Sequence, residues 1–330
     1  MTVLLTGATG FVGTAIARSL AMEGIAFRAV VRGMAKAELR GLDLDACLAL
    51  DLAVASESDL SAALDGVRSV IHVAGLVRGT KADLDTVNGS ATRRLAAAFA
   101  AQCPGGRFVL MSSLAAAGPS SDGKGSSCAP EEAQPVSHYG RSKLEGERAV
   151  RELCASWITL RPGIVYGPWD SDVYVLFRMA ARGVVPLTMA KSRYSLVHVD
   201  DLARAVVLAL RADTAACGRA YPVVNAEALS QRDFLQRIAR AVGREARLLP
   251  VPRVLAYFSA ALGEAQAKFR GRPALFGFDK FREMRQGSWV GDPEPMRRAV
   301  GFEAAIDHDR GLASTASWYR DRALLPFVQA

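Results

Sequence analysis

Near the middle of the chain a tyrosine and a lysine stand four residues apart, in Tyr139-Gly140-Arg141-Ser142-Lys143. On a helix this spacing puts both side chains on one face. A free phenol titrates near pH ~10, too high for a base at neutral pH. A neighbouring ammonium favours the phenolate and pulls that value down. The pair would then act as a tuned acid/base. Alone, the spacing is common by chance and reads as a solvated helix face. A serine pair, Ser112-Ser113, stands about 26 residues earlier. A hydroxyl there would hold a substrate oxygen while Tyr139 moves its proton. Ser113, Tyr139 and Lys143 are therefore the candidate catalytic residues.

These side chains need a scaffold, and the first half of the chain supplies one. Short β-type runs at residues 3–5, 27–31, 47–50, 69–73, 108–111 and 157–160 alternate with helix-type stretches at 11–23, 82–101 and 139–154. Such alternation implies parallel βαβ units with right-handed crossovers. Ser112-Ser113 then ends the fifth strand, and sites in such sheets form at the carboxyl ends of strands. The first strand runs into Thr6-Gly7-Ala8-Thr9-Gly10-Phe11-Val12-Gly13. Gly7 permits a tight turn, Gly10 lets backbone approach a pyrophosphate, and Gly13 lets helix and strand pack closely. The following helix offers its free N–H groups and positive dipole end to phosphates. Placed directly after a strand, this glycine turn predicts dinucleotide binding.

Other strand ends add to the cradle. The second strand ends in Val30-Val31-Arg32, where NAD sites usually carry an acid. Arg32 can instead fork onto a 2′-phosphate, which favours NADP(H) over NAD(H). Asp51-Leu52 closes the third strand, placed to meet an adenine. Val73-Ala74-Gly75 closes the fourth, where small residues let backbone lie along a cofactor. Lys143 is also placed to hydrogen-bond the nicotinamide ribose. The expected fold is α/β: a Rossmann doubly wound parallel sheet with a smaller C-terminal substrate domain. Residues 117–135, rich in Gly, Ser and Pro, read as a long surface loop. Beyond residue 162 prolines multiply and the βα rhythm breaks.

Bulk properties narrow the classes. The chain has 330 residues, half of them hydrophobic, and a formal charge of +8. Its basic residues are spread rather than clustered, which argues against nucleic acid as a partner. The five cysteines are widely spaced with no CxxC, so neither a metal site nor a disulfide framework is expected. No stretch reaches the roughly 20 apolar residues of a membrane span. With no room for a signal peptide before the first strand, a cytoplasmic protein is expected, with peripheral membrane contact open.

The order TGATGFVG, HVAG, Asn88, SS, YGRSK, LRPGIVYGP and VHVDD resembles the extended short-chain dehydrogenases, also called the NAD-dependent epimerase/dehydratase family. The likeness covers residues 1 to about 210. It implies catalytic roles for Ser113, Tyr139 and Lys143, with Ser113 preferred over Ser112 because Gly118 then meets the family's loop glycine. It also implies that Phe11, Val12, Asp51, Asn88, Pro162, Gly163 and Ile164 border the cofactor. Residues of about 195–225 would return to the 1–165 Rossmann domain, leaving 166–194 and 226–330 as a discontinuous substrate domain. Many members dimerise through their YxxxK helices, so a homodimer is expected.

The family contains reductases, epimerases and dehydratases. Leu114 follows Ser113 where sugar dehydratases carry an acidic pair, so dehydration is disfavoured. Sugar epimerases often show Arg-Asp where this chain has Tyr194-Ser195, with Arg193 one place off. Residues 254–262 are apolar all round, followed by Lys268-Phe269-Arg270 and Phe276-Gly277-Phe278. They read as a buried helix with core aromatics, as a lid over an apolar substrate, or as a basic-aromatic surface on lipid headgroups. The end segment, from Trp289 to Arg320, resembles members acting on hydroxysteroids, keto-lipids and dihydroflavonols. The expected activity is reduction of a ketone, or oxidation of a secondary alcohol, on an apolar lipid-like or steroid-like substrate such as a ketoceramide. A nucleotide-sugar epimerase with tightly held NAD and a non-catalytic nucleotide-sensing protein are the alternatives.

Overall fold

A computed structural model describes residues 2–120, 132–270, 274 and 276–325, without the side chains of residues 268 and 270. Seven strands form one parallel sheet: β1 (Thr2–Thr6), β2 (Phe27–Val31), β3 (Cys47–Ala49), β4 (Val67–His72), β5 (Arg107–Met111), β6 (Ser156–Pro162) and a late return that pairs with β6. Between β6 and that return lie β7 (Ile164–Tyr166), β8 (Val184–Leu187) and β9 (Arg193–His198); the return itself is β10 (Arg219–Val223). The order across the sheet is β10-β6-β5-β4-β1-β2-β3. The chain starts in the middle, builds one way to β3, then crosses over and builds the other way. The reversal falls between β1 and β4, the place where such sheets bind ligands.

Helices cover both faces, so the strands are apolar throughout rather than alternating. Val3 and Leu5 enter one core with Ile16, Leu20, Leu202 and Val206. Leu4 points the other way, into a core with Leu60, Leu95, Phe99 and Val150. A second unit holds the sheet β11-β9-β7, with β11 at Ala228–Ser230, and the pair β12-β8, with β12 at Arg247–Pro250. Its core gathers Phe177, Phe234, Leu312 and Tyr319.

Two elements differ from the sequence reading. The predicted helix at 82–101 is interrupted: Lys81–Leu84 and Ala91–Gln102 flank a π-turn at Asp85–Ser90. The wide turn lets the Asn88 side chain turn inward, where it receives the Leu76 N–H at 2.8 Å and donates to the Leu76 carbonyl at 2.8 Å. The apolar stretch at 254–262 is not a buried helix. It lies in the helix Arg253–Arg270, where Ala256 and Ala260 are buried while Leu255, Phe258 and Leu262 face outward. Of the predicted 117–135 loop, residues 121–131 lie outside the described residues. Its two ends meet, with Gln134 N–H donating to the Ala117 carbonyl at 2.9 Å.

Candidate active site and dinucleotide cradle

Strand β5 ends at Met111, and Ser113 caps the short helix Leu114–Ala117 by accepting the Ala115 N–H at 3.1 Å. The helix His138–Leu153 starts beside it, capped by Ser137, whose Oγ accepts the Gly140 N–H at 2.9 Å. Tyr139 thus sits in the first turn, with the Ser113 hydroxyl close enough to act on its phenol. One turn on, Lys143 Nζ donates to the Met111 carbonyl at 2.8 Å. A further turn on, Glu147 accepts the Ser112 hydroxyl at 2.5 Å and both arms of Arg161 at 2.9 and 2.5 Å. Tyr139, Lys143 and Glu147 therefore form one stripe at i, i+4 and i+8 against the ends of β5 and β6.

The electrostatics depart from the sequence expectation. The i, i+4 spacing alone predicts a Tyr139 phenol lowered by its neighbouring ammonium. Burial instead pushes the phenol well above the ordinary value, with the Ser113 hydrogen bond opposing and Glu283 and Asp172 adding to the rise. The same cause acts in reverse on Lys143: burial lowers it to about 8, against the pull of Glu147. Desolvation penalises whichever form is charged. Both side chains keep some accessible surface toward the cleft, so the packing that shifts them lies behind and beside them. At neutral pH the pair is a protonated phenol beside an ammonium, an arrangement that gives a proton away.

Sequence reading missed the groups that steady this helix. Asp279, from the helix Phe278–Arg285, accepts the N–H groups of His138 at 2.7 Å and Tyr139 at 3.0 Å. Glu283 from the same helix accepts the Ser137 hydroxyl at 2.7 Å. Below the site His72 is buried between the hydroxyls of Thr6 at 2.7 Å and Thr92 at 2.9 Å. Burial, helped by Lys143, lowers its pKa to about 3, so it is neutral. No local pattern announces these groups, because their partners are distant in sequence. His138 meets Arg141 at 3.3 Å and Arg282 at 3.4 Å, and His198 caps the helix Val199–Arg211.

The glycine turn lies at the β1–β4 switch. Gly7 has φ +71°, and a Cβ on it would lie 2.6 Å from the Ala74 nitrogen. A Cβ on Gly13 would lie 2.0 Å from the Gly7 carbonyl oxygen. Only glycine allows the turn to close against both Val73-Ala74 and its own helix. Thr9 and Gly10 follow the turn, and Phe11 and Val12 open the helix Phe11–Met22 half-buried on the core. Arg32 is exposed just past β2. Asp51 is exposed and accepts the Ala53 N–H at 2.9 Å, while Leu52 is buried. Gly75 is exposed at the end of β4, and a Cβ there would stand 2.9 Å from both Lys143 Nζ and Asn88 Oδ1. Asn88 itself is buried and also donates to Ser142 at 2.9 Å, so it braces the loop that carries Gly75. Pro162, Gly163 and Ile164 join β6 to β7, and Gly163 lies so close to β9 that a Cβ would meet the Ser195 carbonyl at 2.1 Å.

These residues fit a nicotinamide dinucleotide. The helix Phe11–Met22 begins at Gly10 without a side-chain cap, so its first N–H groups are open to a pyrophosphate. At the other end Gly75 leaves a space, beside the Lys143 ammonium, that any side chain would fill.

Comparison with known proteins agrees. Residues 3–223 match the model of the NAD dependent epimerase/dehydratase family. A protein named ceramide reductase, from Caulobacter vibrioides, is 32% identical over 98% of this chain and 96% of its own length. Sterol demethylase protein B of Methylococcus capsulatus is 28% identical over 98% of this chain and all of its own length. The fold of Thermus thermophilus UDP-glucose 4-epimerase, solved with NAD, superposes with a TM-score of 0.74 at 21% identity, over 97% of this chain and 99% of that one. By this match over residues 3–223, the chain belongs to the NAD dependent epimerase/dehydratase family.

Proposed function

We propose that the protein is an NAD(P)(H)-dependent reductase that converts a ketone on an apolar, lipid-like substrate, such as a ketoceramide, to a secondary alcohol, with NADP(H) preferred. The observation that carries this reading is the Tyr139 phenol, held protonated by burial beside the Ser113 hydroxyl, one helix turn from the Lys143 ammonium that stands over Gly75. A bound nicotinamide would supply the hydride. Ser113 would hold the ketone oxygen, and Tyr139 would give that oxygen its proton. The Lys143 ammonium would stabilise the phenolate left behind and hold the ribose. Residues 166–194 and 226–330 would shape the substrate side of the cleft.

Dehydration would need an acid after Ser113, and Leu114 there is buried and apolar. Sugar-nucleotide recognition would call on Arg193, but its guanidinium donates to the Ala228 carbonyl at 2.9 Å. The full-length likeness to a protein named ceramide reductase supports a lipid substrate. Arg32, exposed at the end of β2, supports the 2′-phosphate of NADP(H).

The test is turnover by the purified protein with a ketoceramide or with UDP-sugars. One NADPH should be consumed per ketone reduced, and NADPH should raise the melting temperature more than NADH at equal concentration. Tyr139→Phe should lower turnover by about 10²-fold or more yet leave the NADPH-induced shift nearly intact. Interconversion of UDP-sugars with no net NADPH use would overturn the proposal, as would equal loss of turnover and cofactor binding in the variant.

A further inference from the structure

The helix Arg253–Arg270 packs on the protein by one narrow stripe. Ala256 and Ala260 are buried against Phe281. A Cβ on Gly263 would meet the Phe276 carbonyl at 2.2 Å, and Glu264 accepts the Phe278 N–H at 3.2 Å. The opposite stripe is apolar and faces outward: Val254, Leu255, Phe258, Leu262 and Phe269, at spacings of three, four and seven residues. Phe258 is 63% exposed and Phe269 94%. Single exposed apolar residues are ordinary on a protein surface, but a contiguous helical stripe of them marks an interaction site.

The charge around the stripe says what it meets. From residue 247 to 285 the sequence carries eight Arg and Lys against three Asp and Glu. The three acids are engaged: Glu264 with Phe278, Asp279 with the helix of Tyr139, Glu283 with Ser137 and Lys280. At the amino end of the helix a cavity of about 550 Å³ opens, lined by Lys191, Arg253 and Arg285 with no carboxylate. Among the described residues no helix is long and apolar enough to cross a membrane, so contact with lipid would be along a surface. A second copy of the chain is a poor occupant, because a two-fold contact would set two basic rims against each other.

We infer that the outward stripe of the helix Arg253–Arg270 docks on an anionic lipid bilayer, with Phe258, Leu262 and Phe269 entering the headgroup boundary and Arg253 and Arg285, at the carboxylate-free cavity, meeting anionic headgroups. An in-plane helix with an apolar face and a basic rim binds by these two terms together. The docking does not depend on which ketone the enzyme reduces.

Flotation of the full chain with vesicles tests this. Vesicles of phosphatidylcholine with phosphatidylglycerol should bind the protein at least tenfold better than phosphatidylcholine alone, and high salt should weaken the binding. Phe258→Ser with Leu262→Ser should lower binding to the anionic vesicles at least tenfold without changing the melting-temperature shift by NADPH. Phe269→Ser, at a side chain almost wholly in solvent, should lower it too and guards against a folding defect in the double variant. Three results would overturn the inference: no binding to anionic vesicles at low salt, unchanged binding by all variants, or a solution dimer that the variants convert to monomers.

Discussion

Tyr139 and Lys143 are displaced from their ordinary titration in opposite senses by one cause. Burial disfavours the phenolate and the ammonium alike, so the phenol rises and the ammonium falls to about 8. The consequence can be read in a pH profile. Below pH 8 Lys143 carries its charge, and above it the charge is lost while Tyr139 remains a phenol. For ketone reduction, kcat/KM, which reports the free enzyme, should be level up to about pH 8 and fall above it. Lys143→Arg keeps its charge throughout, so any residual activity of that variant should show no such fall. A fall at the same pH in the arginine variant would assign it to another group. The types and spacing of Ser113, Tyr139 and Lys143 were legible in the sequence. The sense of the tyrosine's shift was not, because it depends on what packs behind the ring.

At the scale of elements, the helix that carries Tyr139 and Lys143 is held at its amino end from across the molecule. Ser137 supplies a local cap, and Asp279, 140 residues further along than Tyr139, takes two more N–H groups. Helix starts leave such donors unsatisfied, and a carboxylate there also meets the positive end of the dipole. Asp279→Ala should cost about 1 kcal/mol in stability by analogy with lost helix caps. It should also lower kcat more than it raises KM, since it loosens Tyr139 rather than the substrate cleft. Asp279→Asn, which keeps an acceptor, should restore most of both. Thermal denaturation and steady-state kinetics on the same preparations separate the two effects, and a purely structural role would leave kcat at its original value. Sequence periodicity located this helix to within a residue, but its distant clasp has no periodic signature.

Across the whole molecule, the ion pair Glu147–Arg161 joins the helix His138–Leu153 to β6 in the interior, with both side chains almost wholly enclosed. Such a pair is weak evidence of stability, yet breaking one side leaves a buried charge without its partner. Glu147→Leu should destabilise the fold by about 3–5 kcal/mol, seen as a large drop in denaturant midpoint. Pairing it with Arg161→Met should recover much of that loss, since no lone charge then remains. If the double variant were as unstable as the single one, packing and not charge would be the cause. The pair touches Ser112 and lies one turn from Lys143, so it also steadies the ends of β5 and β6 beside the proposed Ser113, Tyr139 and Lys143 set.

Local sequence suffices for the strand-helix alternation, the glycine turn at residues 7–13 and the spacing of Ser113, Tyr139 and Lys143. Each is written in local spacing: two for strands, 3.6 for helices, three for these glycines. It did not disclose the Asp279 and Glu283 clasp, the Glu147–Arg161 pair, the π-turn at Asp85–Ser90 or the outward face of the helix Arg253–Arg270. The clasp joins residues about 140 apart along the chain, and the pair joins a helix to the next strand, across a change of period that local spacing does not record. The π-turn answers to the inward turn of Asn88 toward Leu76 and Ser142, partners outside its own helix. The exposed face was hidden because an apolar run has the same composition whether it meets a core or the outside. Only the packed chain decides which, and here two alanines and a glycine gave the helix a seat too narrow to bury its larger side chains.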